Sequence, residues 1–151
     1  MTQSITSITA LDNSITFLMG LAQKQYRALC TQRLMAEFDI SLEMVGAMRV
    51  LQQLGCIPQQ QLADVLKRNR SVVKRLVDNC IKRGLIEASK SDTNKKARML
   101  SLTAEGQRIN EACTPVINAI SKEFFAVVSP QEQQQLMGVL KKLVRNDVRV
   151  D

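Results

Sequence analysis

A chain of 151 residues with 45% apolar and 23% charged side chains can bury one core without disulfide staples, which excludes a disordered tail or a mini-protein scaffold. The absence of histidine removes the commonest general base, zinc ligand and pH switch, and no Trp with one Tyr and four Phe leaves no stacking platform for single-stranded bases. The net charge of +7 points to a polyanionic partner.

Met1 to Ala10 is uncharged and rich in Ser and Thr, without the basic and apolar regions of a signal peptide. From Asp12 to about Phe38 the apolar residues Ile15, Leu18, Met19, Ala22, Tyr26, Leu29 and Leu34 recur at helical spacing. Asp12, Asn13 and Ser14 each suit its N-cap. Ser41 is the next N-cap, with Met44, Val45, Met48, Leu51 and Leu54 on one face and Gly55 as terminator. Cys56, Ile57 and Pro58 form a short extended link. Pro58 suits the first position of a short third helix that carries Leu62, Ala63, Val65 and Leu66.

Asn69 is the expected N-cap of a fourth helix, Arg70 to Arg83. Val72-Val73, Leu76-Val77 and Cys80-Ile81 follow each other at four-residue steps and form one apolar stripe. Ser71, Lys74, Arg75, Asp78 and Lys82 lie on the opposite face, and Gly84 stops the helix. Two short helices around a tight turn, the second with a basic outer face, make a helix-turn-helix. Leu85 to Ala88 and Arg98 to Leu102 then read as the two strands of a hairpin, joined by a basic tip from Ser89 to Lys96. A helix-turn-helix followed by such a hairpin is a winged helix. Thr103 caps a long helix to about Val127, striped by Ile109, Ala112, Cys113, Val116, Ile117, Ile120, Phe124 and Val127. Pro115 should bend or break it. Ser129-Pro130-Gln131-Glu132 is a capping box that opens a last helix with Leu136, Val139, Leu140, Leu143 and Val144 as its stripe. The fold class is mainly α with a small β-hairpin wing: a winged helix-turn-helix plus a helical region.

The charge is concentrated. Residues 66–98 hold eleven basic and three acidic residues, or +8, and the remainder sums to −1. This favours a duplex groove over a membrane surface. No stretch approaches the roughly 18 apolar residues of a membrane span. Cys30, Cys56, Cys80 and Cys113 are spread along the chain without a CxxC pair or a histidine, so neither a metal nor a disulfide framework is expected. A reduced, cytoplasmic setting fits this usage. With no Gly-rich phosphate loop and no nucleophile beside a base, neither an enzyme nor a cofactor is expected. Cys30 has Arg27 and Arg33 within one helical turn and is the candidate redox thiol. Cys80 and Cys113 fall on apolar stripes and read as core.

Four strings then carry a family resemblance: Gln61-Leu62-Ala63, Val73-Lys74-Arg75-Leu76-Val77-Asp78, Lys82-Arg83-Gly84-Leu85-Ile86-Glu87 and Ser101-Leu102-Thr103-Ala104-Glu105-Gly106. In this order and spacing they resemble the multiple antibiotic resistance regulator (MarR) family of winged-helix transcription factors. The resemblance implies a homodimer built from the first helix and the last two. That divides the chain into a helical dimerisation region, 1–40 and 103–151, and a DNA-binding lobe, 41–102. The apolar stripes of the terminal helices agree, because one copy would struggle to cover them all.

The resemblance also implies a repressor on near-palindromic double-stranded DNA, with each fourth helix in a major groove. Arg70 and Lys74 are then the candidates for reading guanine. Ser71 would reach a base or a phosphate, and Lys67, Arg68 and Arg75 would hold phosphate. Asn69 combines capping with a phosphate contact, and Lys95, Lys96 and Arg98 would enter the flanking minor groove. Two departures stand out. The wing tip is about one residue short and lacks the family's second Asp, with Lys where the tip Arg belongs. Pro58 replaces the usual Ser or Thr cap. Effectors in the family are small phenolic or lipophilic molecules, or oxidants acting on cysteine. Tyr26, Met44 and Met48 are the candidate pocket residues. The competing readings are a helical protein–protein adaptor and a non-specific DNA-binding protein.

Overall fold

Side-chain capping sets where most of the helices begin. Ser14 Oγ accepts from the Phe17 N–H at 3.2 Å, Ser41 Oγ from Met44 at 3.2 Å and Thr103 Oγ1 from Gly106 at 2.9 Å. Ser129 and Glu132 exchange bonds of 3.1 Å in a reciprocal capping box. The computed structural model describes residues 3–93 and 96–151. In chain order it has α1 (Thr9–Asp12), α2 (Ile15–Phe38), α3 (Leu42–Leu54), β1 (Ile57–Pro58), α4 (Gln59–Leu66) and α5 (Arg70–Lys82). There follow β2 (Ile86–Lys90), β3 (Arg98–Leu102), α6 (Ala104–Phe124) and α7 (Pro130–Leu143).

The expected hairpin is a three-stranded antiparallel sheet in the order β1-β3-β2. The extended link is its third strand: Ile57 pairs with Leu100 and Pro58 with Met99. Both Ile57 and Leu100 are buried, so the pairing also fills the core. Pro58 ends an edge strand, where its missing N–H costs no ladder bond. It is the N-cap residue of α4, not its first helical residue, and it supplies no side-chain cap.

The core gathers Leu34, Ile40, Met48, Leu51, Leu62, Val73, Val77, Leu85, Ile86, Leu100 and Ile117 from α2 to α6 and the sheet. α6 enters this core through a close approach. A Cβ on Gly106 would lie 2.0 Å from the Leu85 carbonyl oxygen, so only glycine fits there. The same carbonyl accepts from Thr103 N at 3.1 Å, and Thr103 Oγ1 donates to the Gly84 carbonyl at 2.6 Å.

Pro115 does not break α6, which is one continuous helix. Pro115 and Glu111 both face solvent, where water can serve the carbonyl that the missing N–H leaves free. Val127, expected on the stripe of α6, lies beyond its end and is 91% exposed.

The terminal helices are far less covered. Only Cys30 and Leu34 of α2 are buried, and Ile15, Leu18 and Met19 are exposed. No residue of α7 is buried, and Leu136, Met137, Val139, Leu140 and Leu143 all face outward. Beyond α7 the chain returns to the lobe, where Val150 forms an isolated parallel bridge with Arg68.

Candidate nucleic-acid interface

The surface that carries the charge is built on α4, the turn after it, and α5. Lys67 ends α4 in the left-handed region at φ 53°, which turns the chain sharply. Asn69 is then extended, and α5 starts at Arg70. Val73, Val77 and Cys80 pin one face of α5 into the core. Arg70, Ser71, Lys74 and Arg75 are thereby left together on the exposed face. Lys67, Arg68 and Asn69 are half-buried in the turn just before it.

Asn69 sits at the predicted N-cap position, but its side chain makes no capping bond. Its amide nitrogen donates instead to Asp151 Oδ1, and its backbone N–H donates to the Val150 carbonyl at 2.9 Å. The capping role is therefore corrected: the returning chain end takes up both groups.

Arg98 also differs from expectation. It stands in register with Lys90, in the pair next to the loop of the wing. Its Nη1 donates to Asp78 Oδ1 at 2.9 Å and to Gln59 Oε1 at 3.1 Å. Lys74 Nζ donates to the other carboxylate oxygen of Asp78 at 3.0 Å. Asp78 thus links α5 to β3, with Gln59 of α4 joined through the same guanidinium. In this arrangement Arg98 braces the wing. The bonds from Lys74 and then Arg98 hold the Asp78 carboxyl below its ordinary pKa. Lys96 is exposed, and it lines a surface hollow of about 340 Å³ with Ala88, Ser89, Lys90, Ala97 and Arg98. Lys95 lies outside the described residues.

Sequence reasoning did not single out Asp78, Gln59 or Arg83. The four-residue spacing of Lys74 and Asp78 was a visible signal. The partners of Arg98 and Arg83 are tertiary. Arg83 donates to the Asp39 and Phe38 carbonyls at the end of α2 and pairs with the Asp39 carboxylate at 3.3 Å, so it braces α5 against α2.

The candidate effector residues are not equivalent. Tyr26 is half-buried on α2, its hydroxyl 2.7 Å from Ser121 Oγ, its ring edge-on to Phe124 at 5.4 Å. Burial raises its pKa, so it is a neutral phenol. Met48 is fully buried in the core, and Met44 packs partly against it. Beside Phe124, a cavity of about 320 Å³ between α2 and α6 is lined by Leu29, Gln32, Arg33, Ile120, Glu123 and Phe124.

Cys30 requires a correction. It is fully buried, and the two arginines meant to activate it are engaged elsewhere, Arg27 with Glu43 and Arg33 with Glu37. A redox thiol needs access to oxidant and a cationic neighbourhood, and Cys30 has neither. Cys80 and Cys113 are buried as expected, and the exposed thiol is Cys56. Burial pushes the Cys80 thiol up to about 12. Among the described residues, no helix is long and apolar enough to cross a membrane.

A helix-turn-helix with a charged outer face, backed by a three-stranded sheet whose last two strands form a wing, defines a winged-helix DNA-binding protein. Residues 40–97 match the model of the MarR family, and over that stretch the chain is similar to the transcriptional regulators of that family. It is 24% identical over 106 residues to the transcriptional regulator HosA of Escherichia coli O111:H-, spanning 70% of this chain and 78% of HosA. A probable transcriptional regulator from Pseudomonas aeruginosa superposes with a TM-score of 0.83 at 28% identity, over 89% of this chain and 99% of that one. A mutant MarR from E. coli, solved with operator DNA, has the same fold, with a TM-score of 0.83 at 18% identity over 93% and 100% of the two chains.

Proposed function

We propose that this regulator is a homodimeric repressor that binds a near-palindromic duplex. Each lobe, residues 41–102, would seat α5 in a major groove, and residues 1–40 and 103–151 would hold the two copies together. The observation that carries this is the division of α5 into a core-buried stripe and an exposed face bearing Arg70, Ser71, Lys74 and Arg75. The uncovered apolar faces of α2 and α7 support the dimer.

Arg70 and Lys74 are assigned to guanine edges and Ser71 to a base or phosphate. Lys67, Arg68, Asn69 and Arg75 are assigned to phosphate, and Lys95 and Lys96 to the flanking minor groove. Arg98 is assigned to holding the wing at its angle to α5. The two α5 helices would sit about 34–36 Å apart, one turn of DNA. A small phenolic or lipophilic molecule entering the cavity beside Phe124 would press between α2 and α6 and change that separation. Burial of Cys30 leaves the oxidant route without a sensor at that position. The setting is the cytoplasm, where a duplex is accessible.

Selecting bound fragments from the source genome, then titrating the winner and a scrambled duplex at several salt concentrations, tests this. The selected duplex should bind at least ~10³-fold more tightly than the scrambled one, with affinity falling steeply as salt rises. Equal affinity for both would overturn sequence-specific regulation in favour of a non-specific binder. No binding to either would favour a protein–protein adaptor.

A further inference from the structure

Residues 148–151 lie across the helix-turn-helix turn, with Val150 in an isolated bridge to Arg68. The Val150 N–H donates to the Lys67 carbonyl at 3.1 Å, and the Asn69 N–H donates to the Val150 carbonyl at 2.9 Å. These two bonds bracket Arg68. Arg149 fastens the segment from the other side: Nη1 donates to the Ala63 carbonyl and Nη2 to Asp64 Oδ1, both at 2.8 Å. Asp151 accepts from the Asn69 side chain. The Arg68 Nε is buried without a hydrogen-bond partner.

These contacts occupy the groups that a phosphate would use. The N–H and the side-chain amide of Asn69 stand at the N-terminus of α5, where the helix dipole and free donors favour an anion. Here both donate to the chain end, and the anion is the Asp151 carboxylate. A phosphate arriving at the same place meets spent donors and a like charge. We propose that residues 148–151 act as an internal mimic of the DNA backbone, docked on the turn and competing with phosphate for it. This rests on the reading above that the turn faces the duplex. Release of the segment would free the Asn69 donors and let the Arg68 guanidinium bond fully to a phosphate oxygen. The tail therefore lowers the affinity for every duplex alike, by the fraction of molecules in which it is docked. It leaves base preference unchanged, because it covers no residue on the exposed face of α5.

The test compares the intact chain with Arg149→Ala, which removes the fastening, and Asp151→Asn, which removes only the charge. A fluorescent duplex of mixed sequence about two helical turns long is the probe. Arg149→Ala should tighten binding by about threefold or more, and Asp151→Asn by less, both in the same direction. Affinity unchanged or weakened in Arg149→Ala would overturn the proposal and make the tail a support for the turn.

Amide hydrogen exchange supplies a second measurement that does not depend on the variants. The Asn69 and Val150 amides of the free protein should be protected, and adding the duplex should unprotect Val150. A Val150 amide that stays protected on DNA would overturn the competition, as would an unprotected Asn69 amide in the free protein. Failure of the intact chain to bind any duplex, with Asn69 protected, would strike the DNA-binding reading instead.

Discussion

Asp78 shows how a single side chain joins two elements. It takes Lys74 from its own helix and Arg98 from the wing, one on each carboxylate oxygen. Replacing it with Ala should leave the fold intact, because the pairs are solvent-accessible. It should release both cations, so that affinity for mixed-sequence DNA rises, its salt dependence steepens and preference for the selected duplex falls. A titration of both duplexes checks this. The carboxyl is held below its ordinary pKa, so the brace is complete above the normal carboxylate range. It is lost as pH falls through the depressed value, and an NMR titration of the Asp78 carboxyl should report that sign.

The thiols divide just as clearly. Cys56 should react with a thiol reagent within the folded protein, and Cys30, Cys80 and Cys113 only on unfolding. One fast equivalent in native buffer and four in denaturant is the expected count. Since the Cys80 thiol is pushed up to about 12, its contribution to stability is full below the ordinary thiol pKa and falls as pH rises above it.

At the scale of elements, the seam between the lobe and α6 depends on one missing methyl group. Gly106→Ala would put its Cβ against the Leu85 carbonyl, which is backbone and cannot swing away. A loss of about 1–3 kcal/mol is expected from denaturant unfolding, against a small gain had the site been open. The seam connects the end of α5 to the start of α6, so DNA affinity should fall as well. α5 itself was legible from sequence, since apolar pairs at four-residue steps leave one way to bury it. β1 was not. Two residues carry no period, and Ile57 became a strand only because β3 offered it an edge.

At the scale of the molecule, α7 is a helix with an apolar stripe and no buried residue. A single chain that leaves Leu136, Val139, Leu140 and Leu143 in water would be poorly soluble. Sedimentation should therefore find a dimer. Replacing Leu136 and Leu140 together with Glu should shift it toward monomer and weaken operator binding at least tenfold, since a half-site alone loses the second groove. A variant that stays dimeric would place the interface elsewhere.

The helical order, the winged lobe and the location of the charge are all written in the order of residues. Each follows from a local signal: the period of apolar residues, a capping side chain, a glycine at a stop. Tertiary structure decided what those side chains do. Arg98, read as a minor-groove finger, is held by Asp78 and Gln59, residues 20 and 39 positions away. Asn69, read as a cap, is held by a chain end 82 positions away. Cys30, read as reactive from its two arginine neighbours, lost both to carboxylates and its access to packing. Charge and capacity to hydrogen-bond are properties of a residue. Which partner satisfies them depends on which distant segments the buried core brings within about 3 Å.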